Sequence, residues 1–400
     1  MIFPGGLDAQ SFLDGHWQKR QLRMPGGAPP DLPELSADEL GWLATLEDVE
    51  SRLVFTDDDE SGSGYRVLHG PFASEELEAL PQCNWTLLVQ DVDKHLPAFR
   101  EWFRLCEFVP DWRLDDLMIS FAAPGGGVGP HVDNYDVFLV QGTGTREWRT
   151  AEPGHVEPAK RRSALALLQA FDDPDPYCAT RGDVLYLPPG VPHWVIARDA
   201  CTTYSIGFRA PTRADLLGAL RGICGREIPK ASAADRRRFY ADPDLRCDEA
   251  VAGLISPLAI ARARALLGDD VRCADTDIVR ALGAVTTSTK EWLTPEPPTR
   301  QEAAGLAAEI LGGTPASVHG MARIARCRID AATWLFANGR GREISEAQAD
   351  FVARLCRDGA VTLQPADLEP ARRSDLPDVL AWLVELGAIE PGGLTSGPQA

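Results

Sequence analysis

Short apolar runs separated by glycine and proline turns fill the chain between about residues 117 and 209, and this pattern predicts β-strands. The run Val184–Leu187, for example, lies between Gly182-Asp183 and Pro188-Pro189-Gly190. Many short strands of this kind are typical of a β-sandwich or a β-barrel. The predicted strands cover residues 117–122, 136–141, 145–150, 163–169, 183–187, 193–198 and 201–208.

Helical patterns flank this strand-rich region. On its N-terminal side we predict helices over residues 9–20, 36–50 and 96–108, and the spacing of Ser36 and Glu39 is that of a capping box. On its C-terminal side, the apolar positions Leu216, Leu217 and Leu220 indicate helices up to about residue 283. A proline-rich junction at residues 294–299 then precedes a mixed segment. We therefore predict domains at 1–213, 214–293 and 294–400.

Composition and charge limit the classes of partner. The chain has 400 residues, and its 59 acidic against 40 basic residues give a formal net charge of −19. The negative electrostatic field of such a charge repels nucleic acid and attracts basic partners, so we expect no DNA partner. The nine cysteines include no C-x-x-C pair, which argues against a disulfide framework and a zinc ribbon. Without a signal-like N-terminus or a membrane-length apolar run, we expect a cytoplasmic protein that contacts no membrane.

Three residues have the pattern of a metal site. His131 and Asp133 follow a glycine-rich turn, and side chains two apart on a strand point the same way. His193 follows a predicted strand and a Pro-Pro-Gly turn much later in the chain. Two histidines and one carboxylate form the facial triad of non-haem Fe(II) oxygenases, which leaves coordination positions open. We therefore predict that His131, Asp133 and His193 bind Fe(II) and form the catalytic centre.

The order of several motifs resembles a known family. The motifs are Trp17-Gln18-Lys19-Arg20, Trp85–Gln90, Met118–Phe121, the run from Gly125 through His131 to Trp148, and Tyr204–Pro211. Together they resemble the JmjC-type branch of the cupin superfamily, and more narrowly the bacterial ribosomal oxygenases. The chain departs from the family pattern at Gln21 and Ala197, neither of which belongs to the triad.

This resemblance implies an α+β fold, with a double-stranded β-helix, the jelly-roll barrel of JmjC and cupin proteins, in the catalytic domain 1–213. It also implies a helical dimerisation segment at 214–293, hence a homodimer. The sequence at 294–400 is rich in helical patterns and ends in a small predicted strand, and it resembles a winged-helix module. The expected co-substrates are 2-oxoglutarate and O₂. Arg146 matches the arginine that binds the 2-oxoglutarate carboxylate, and Ser120 and Ser205 are candidates for further hydrogen bonds to it.

The resemblance further implies hydroxylation of an arginyl residue, at C3, of a large-subunit ribosomal protein. An arginine substrate needs acidic or aromatic neighbours, and Asp115, Asp116, Tyr135 and Asp136 are candidates. Three alternatives stay open: a metal cupin that is not an oxygenase, a ligand-sensing regulatory protein that acts through its C-terminal module, and a lysine demethylase.

Overall fold

The structure is a computed structural model, and it describes residues 1–56, 64–158, 166–225, 227–294, 297–364, 367 and 376–392. The chain forms two compact units. The first comprises residues 1–106, 114–208 and 243–245, and the second comprises residues 107–113, 209–242 and 246–400. Within the described residues, no helix is both long and apolar enough to cross a bilayer.

The first unit is built on two antiparallel sheets. One has eight strands in the order β1-β10-β7-β12-β5-β4-β2-β3, and the other has four in the order β6-β11-β8-β9. The strands are β1 Leu22–Met24, β2 Ser51–Thr56, β3 Tyr65–His69, β4 Trp85–Val89, β5 Leu114–Ala122, β6 His131–Val132, β7 Val137–Gln141, β8 Arg146–Thr150, β9 Tyr177–Ala179, β10 Val184–Leu187, β11 Pro192–Ala197 and β12 Cys201–Phe208.

Strand β7 shows why both faces of the large sheet are covered. All five of its residues are buried, and successive side chains point to opposite faces. Val137 and Leu139 pack towards the four-stranded sheet in a cluster with Trp148 and Val195. Phe138 points the other way and lies 4.9 Å, between ring centroids, from Tyr186. A strand buried on both faces is uniformly apolar, as most of the sequence of β7 is.

The helices of the first unit are short. They are α1 Ala9–Gly15, α2 Ala37–Leu43, α3 Ser74–Glu78 and α4 Val92–His95, together with the 3₁₀ segment Pro97–Cys106. The capping box of Ser36 and Glu39 is confirmed, because each side chain bonds the other residue's backbone N–H. The predicted helix over 36–50 nevertheless ends at Leu43, and turns connect it to β2, which begins at Ser51.

The second unit combines helices with two three-stranded sheets, ordered β17-β13-β18 and β14-β15-β16. Its core joins Leu216, Leu217 and Leu220 to Leu282 and Phe336. Its elements are α5 Arg213–Ile223, α6 Pro257–Leu267, α7 Asp275–Thr287, α8 Arg300–Leu311, β13 Ala316–Val318, β14 Ile324–Ile329, β15 Ala332–Ala337, β16 Arg340–Ile344, α9 Glu346–Asp358, β17 Ala360–Val361, α10 Leu376–Glu385 and β18 Ile389–Pro391.

The JmjC/cupin fold predicted from the sequence is confirmed, with mixed α and β elements around a large antiparallel sheet. Six of the seven strands predicted between 117 and 208 occur within a few residues of their expected bounds. The strand predicted over 163–169 falls partly outside the described residues, and in the described part only Leu168 makes a β-bridge, to Pro158. Strands β1 and β9, of three residues each, were not predicted.

Candidate active site

A cavity of about 300 Å³ lies within the first unit, and strands of both sheets line it. Because side chains alternate along a strand, most of the contributing strands present every second residue to the cavity. Strand β5 presents Asp116, Met118 and Ser120 in this way. The cavity also receives His131, Asp133 and His193, so it contains the predicted metal site.

The glycine-rich turn before His131 is packed too closely for side chains. A Cβ atom at Gly126 would lie 2.1 Å from the backbone oxygen of Trp85, and one at Gly127 would lie 2.3 Å from that of Val195. Gly129 has a φ of +81°, in the region that favours glycine. These contacts fix the backbone that leads into β6 and set the position of His131.

The structure brings together the three residues of the predicted triad. His131 and His193 are Cα partners across the antiparallel pair β6 and β11. Asp133 lies just beyond the two-residue strand β6, and its Oδ2 atom is 3.9 Å from Nε2 of His131 and 3.5 Å from Nε2 of His193. One ligand atom of each residue lies within 4.8 Å of the others. Among the described residues this is the one group of three or more such side chains with that geometry.

The backbone orients both imidazoles. Nδ1 of His131 donates to the carbonyl of Gly129 at 2.9 Å, and Nδ1 of His193 donates to that of Val191 at 3.0 Å. A carbonyl can only accept, so these bonds place the proton on Nδ1 and leave a lone pair on Nε2, the ring atom of each histidine that lies near Asp133. Carbonyl-bound imidazoles of this kind are typical of metal ligands.

Burial keeps His193 neutral. Its desolvation, reinforced by the nearby imidazole of His131, lowers the pKa of His193 to about 4. A metal ligand must offer a lone pair, so a neutral imidazole at physiological pH suits coordination. Two imidazole nitrogens and one carboxylate oxygen form a donor set that fits Fe(II) with positions left for further ligands.

Arg146 lies in the same cavity and is buried. Its Nη1 donates to Oγ of Ser120 at 3.1 Å, and its Nε donates to Sγ of Cys201 at 3.2 Å. Its buried Nη2 has no hydrogen-bond partner among the described residues. An unsatisfied buried guanidinium donor is costly, and a carboxylate satisfies it well. The residues present therefore fit the far carboxylate of 2-oxoglutarate. Ser205 also lines the cavity.

The four candidate substrate contacts separate into two groups. Asp116 and Tyr135 line the cavity, and Tyr135 is 42% exposed. Partial burial and the carboxylates of Asp133 and Asp116 raise the pKa of Tyr135, so its hydroxyl stays protonated. Asp115 does not line the cavity, and its carbonyl accepts a hydrogen bond from Lys94.

The expectation for Asp136 is wrong. This residue is fully buried, and its carboxylate accepts hydrogen bonds from the hydroxyl of Tyr186 at 2.6 Å and from the amide of Gln18 at 2.8 Å. It does not line the cavity. It therefore joins the N-terminal segment to the outer face of the large sheet.

Three residues with clear contacts in the cavity region were not singled out from the sequence. Cys201 supports Arg146, and Arg52 and Gln90 line the cavity beside Asp116. These contacts join strands that are distant in the sequence, so no local motif marks them. Only the two-residue alternation of a cavity-facing strand could have placed Gln90.

Comparison with known proteins shows which family the chain resembles. The JmjC domain family matches residues 102–216. Over 240 residues the chain is 39% identical to the Escherichia coli ribosomal protein uL16 3-hydroxylase, covering 60% of this chain and 61% of that protein. Over 253 residues it is 32% identical to a probable ribosomal oxygenase of Haemophilus influenzae, covering 62% and 57%. The chain thus spans about three fifths of the length of these curated relatives.

The solved structures extend the similarity along almost the whole chain. The X-ray structure of Escherichia coli YcfD matches with a TM-score of 0.71 and 29% identity, covering 97% of this chain and 99% of that one. The same ribosomal oxygenase in complex with cobalt and 2-oxoglutarate matches with a TM-score of 0.69, at the same identity and coverage. Given these matches, the cavity and the sheets around it, this chain is similar to the bacterial ribosomal oxygenases of the JmjC branch of the cupin superfamily.

Proposed function

We propose that the protein is an Fe(II)- and 2-oxoglutarate-dependent dioxygenase that hydroxylates C3 of an arginyl residue in a large-subunit ribosomal protein. The observation that carries the proposal is that one cavity contains both the candidate metal ligands and a candidate group for the 2-oxoglutarate carboxylate. The Nε2 atoms of His131 and His193 converge on Asp133, and a buried Arg146 retains an unsatisfied donor in the same space.

His131, Asp133 and His193 would hold the metal. Bound iron, with 2-oxoglutarate and O₂ as co-substrates, supplies the oxidation that places one oxygen in a substrate C–H bond while 2-oxoglutarate becomes succinate and CO₂. The chain's own part is orientation. The carbonyls of Gly129 and Val191 fix the two imidazoles, so the ligand geometry is set before the metal binds.

Arg146 would bind the far carboxylate of 2-oxoglutarate through Nη2. Ser120 and Cys201 occupy its Nη1 and Nε atoms, which leaves one edge of the planar guanidinium for the ligand. The buried, largely apolar cavity strengthens this ion pair by excluding water. Ser205 is our candidate for an additional hydrogen bond to the co-substrate.

Asp116 and Tyr135 are our candidates for the contacts with the substrate arginine. A carboxylate pairs with a guanidinium by charge-assisted hydrogen bonds, and an aromatic face attracts the same cation. The net charge of −19 favours approach of a basic ribosomal polypeptide. The Escherichia coli relative is named for ribosomal protein uL16, and we propose uL16 as the substrate here also.

The direct test is a mass measurement. The Fe(II)-loaded protein is incubated with 2-oxoglutarate, O₂ and arginine-containing peptides of uL16, with the His131→Ala variant as control. We expect a gain of one oxygen on an arginine, absent in the variant. Succinate without a modified peptide would reject the substrate. No succinate with any basic peptide would reject the oxygenase and favour a metal cupin of another activity.

We also propose the three-domain organisation 1–213, 214–293 and 294–400, with a homodimer formed through the middle segment and a cytoplasmic location. Three large apolar residues within that segment are exposed, namely Val251, Leu258 and Trp292. Exposed apolar groups are a common component of self-association surfaces. Sedimentation should give a dimer at micromolar concentration, and a monomer there would reject the assembly.

A further inference from the structure

Three polar side chains, which we call the polar relay, line one wall of the cavity. Arg52 on β2, Gln90 at the end of β4 and Asp116 on β5 lie on three neighbouring strands of the large sheet. Leu88, which is the Cα partner of Arg52, lies two residues before Gln90, so both polar side chains face the cavity. The three side chains therefore lie side by side across the sheet.

The Gln90 amide joins the other two groups. In the amide orientation that satisfies both neighbours, its nitrogen donates to Oδ2 of Asp116 at 2.8 Å and its oxygen accepts from Nη2 of Arg52 at 2.9 Å. An amide can donate to a carboxylate and accept from a guanidinium at the same time without carrying charge. Gln90 thus separates a cation from an anion that would otherwise attract each other.

The backbone holds Asp116 in place for this contact. The N–H of Asp91 donates to Oδ2 of Asp116 at 3.3 Å. Residues of α4, which follows Asp91, form hydrogen bonds with both sequence neighbours of Asp116. Lys94 donates to the carbonyl of Asp115 at 2.9 Å, and the carboxylate of Asp93 accepts from the N–H of Leu117 at 2.8 Å. Asp116 is therefore fixed from the side of α4, and on the cavity side it contacts Gln90.

We infer that Gln90 is a positioning residue that keeps Arg52 from pairing with Asp116, so that the Asp116 carboxylate retains its charge for a cationic side chain of the substrate. The inference rests on the proposed function, in which Asp116 meets the substrate arginine. If the amide were removed, the flexible Arg52 could reach Asp116 and form a direct ion pair. A neutralised Asp116 would lose its preference for a guanidinium over a neutral group of the same shape.

The test compares binding of two peptides that differ in charge alone. The protein is loaded with Mn(II) and 2-oxoglutarate, and calorimetry measures its affinity for a uL16 peptide that carries either arginine or citrulline at the modified position. The wild type should prefer arginine by about tenfold, the strength of one charge-assisted hydrogen bond. Gln90→Met should abolish most of that preference, while its affinity for 2-oxoglutarate stays unchanged.

The decisive variant is the double substitution Arg52→Met with Gln90→Met. Because it removes the competing cation, we expect the preference for arginine to return, although the double variant has lost more polar contacts than the single one. Thr86→Val, on the same face of β4 and also lining the cavity, is the matched control and should keep the wild-type preference. A purely structural role for Gln90 predicts no such recovery.

The outcomes separate the relay from the proposed function. The proposed role of Gln90 would be wrong if the double variant prefers the arginine peptide no more than Gln90→Met does. It would also be wrong if Gln90→Met keeps the wild-type preference for arginine over citrulline. Equal affinity of the wild type for both peptides would overturn it as well. Hydroxylation of the arginine peptide by the iron-loaded wild type is measured separately, and its absence would count against the proposed activity whatever the binding results.

Discussion

The thiol of Cys201 accepts a hydrogen bond from Nε of Arg146, with 3.2 Å between the two heavy atoms. Both residues are buried, and Cys201 is the first residue of β12, the strand that pairs with β5 and β7. With Oγ of Ser120 on Nη1, this contact leaves Nη2 as the free end of the guanidinium. The thiol therefore contributes to the orientation of the group that we assign to 2-oxoglutarate.

We expect Cys201→Ala to weaken 2-oxoglutarate binding by roughly three- to tenfold, because a guanidinium without its rear support samples other orientations. The measurement is the Kd of 2-oxoglutarate for the Mn(II)-loaded protein. Cys106→Ala is the control, since Cys106 is equally buried in the same unit. An equal loss of 2-oxoglutarate affinity in both variants would mean that the loss comes from altered packing and not from the contact with Arg146.

Arg146→Lys should weaken 2-oxoglutarate binding by about tenfold or more. An ammonium keeps the charge, but it cannot bond Ser120, Cys201 and a carboxylate in the fixed planar geometry of a guanidinium. Metal affinity should be unchanged, because Arg146 is not among the three clustered ligand groups. A lysine variant that binds 2-oxoglutarate as the wild type does would refute the role of Nη2.

His193→Ala should lower the affinity for divalent metal by at least about 100-fold, since it removes one of three ligands from a site with open positions. Titration with Mn(II), followed by electron paramagnetic resonance, measures it directly. The control is His155→Ala, because His155 is an exposed histidine that is absent from the cluster. If His193→Ala still binds metal and His155→Ala does not, the metal site lies outside this cavity.

The sequence located the triad because its signals are local. The glycine-rich turn, the spacing of His131 and Asp133, and the Pro-Pro-Gly turn before His193 are all readable within a few residues. Arg146 came from the family resemblance alone, since nothing in its immediate neighbours marks it. Cys201 could not be found this way, because its contact with Arg146 depends on how distant strands are arranged in the folded barrel.

Asp136 shows that the two-residue alternation of side chains along an extended chain could have improved the prediction of the substrate contacts. Asp133 and Tyr135 line the cavity, and a residue one position further along an extended chain points to the other face. Asp136 is accordingly buried against Tyr186 and Gln18. A strict application of the two-residue period to the sequence alone would have separated Asp136 from Tyr135.

The two aspartates thus give a matched test of substrate binding against stability. Asp136→Asn leaves a buried group that can no longer accept from both Tyr186 and Gln18, so the free energy of unfolding should fall by about 2 kcal/mol. Asp116→Asn, on the cavity wall, should weaken binding of an arginine peptide by roughly tenfold, because it removes the charge that the guanidinium meets. The hydrogen bonds from Asp91 and Gln90 both end on Oδ2, so an asparagine oxygen at that position can keep them and stability should change little. Chemical denaturation and calorimetric peptide titration measure the two effects separately.

If Asp136→Asn weakened peptide binding at unchanged stability, the buried position of Asp136 would be wrong. If Asp116→Asn bound arginine and citrulline peptides as the wild type does, the substrate cation would have to meet another group, and Tyr135 would be the next to test.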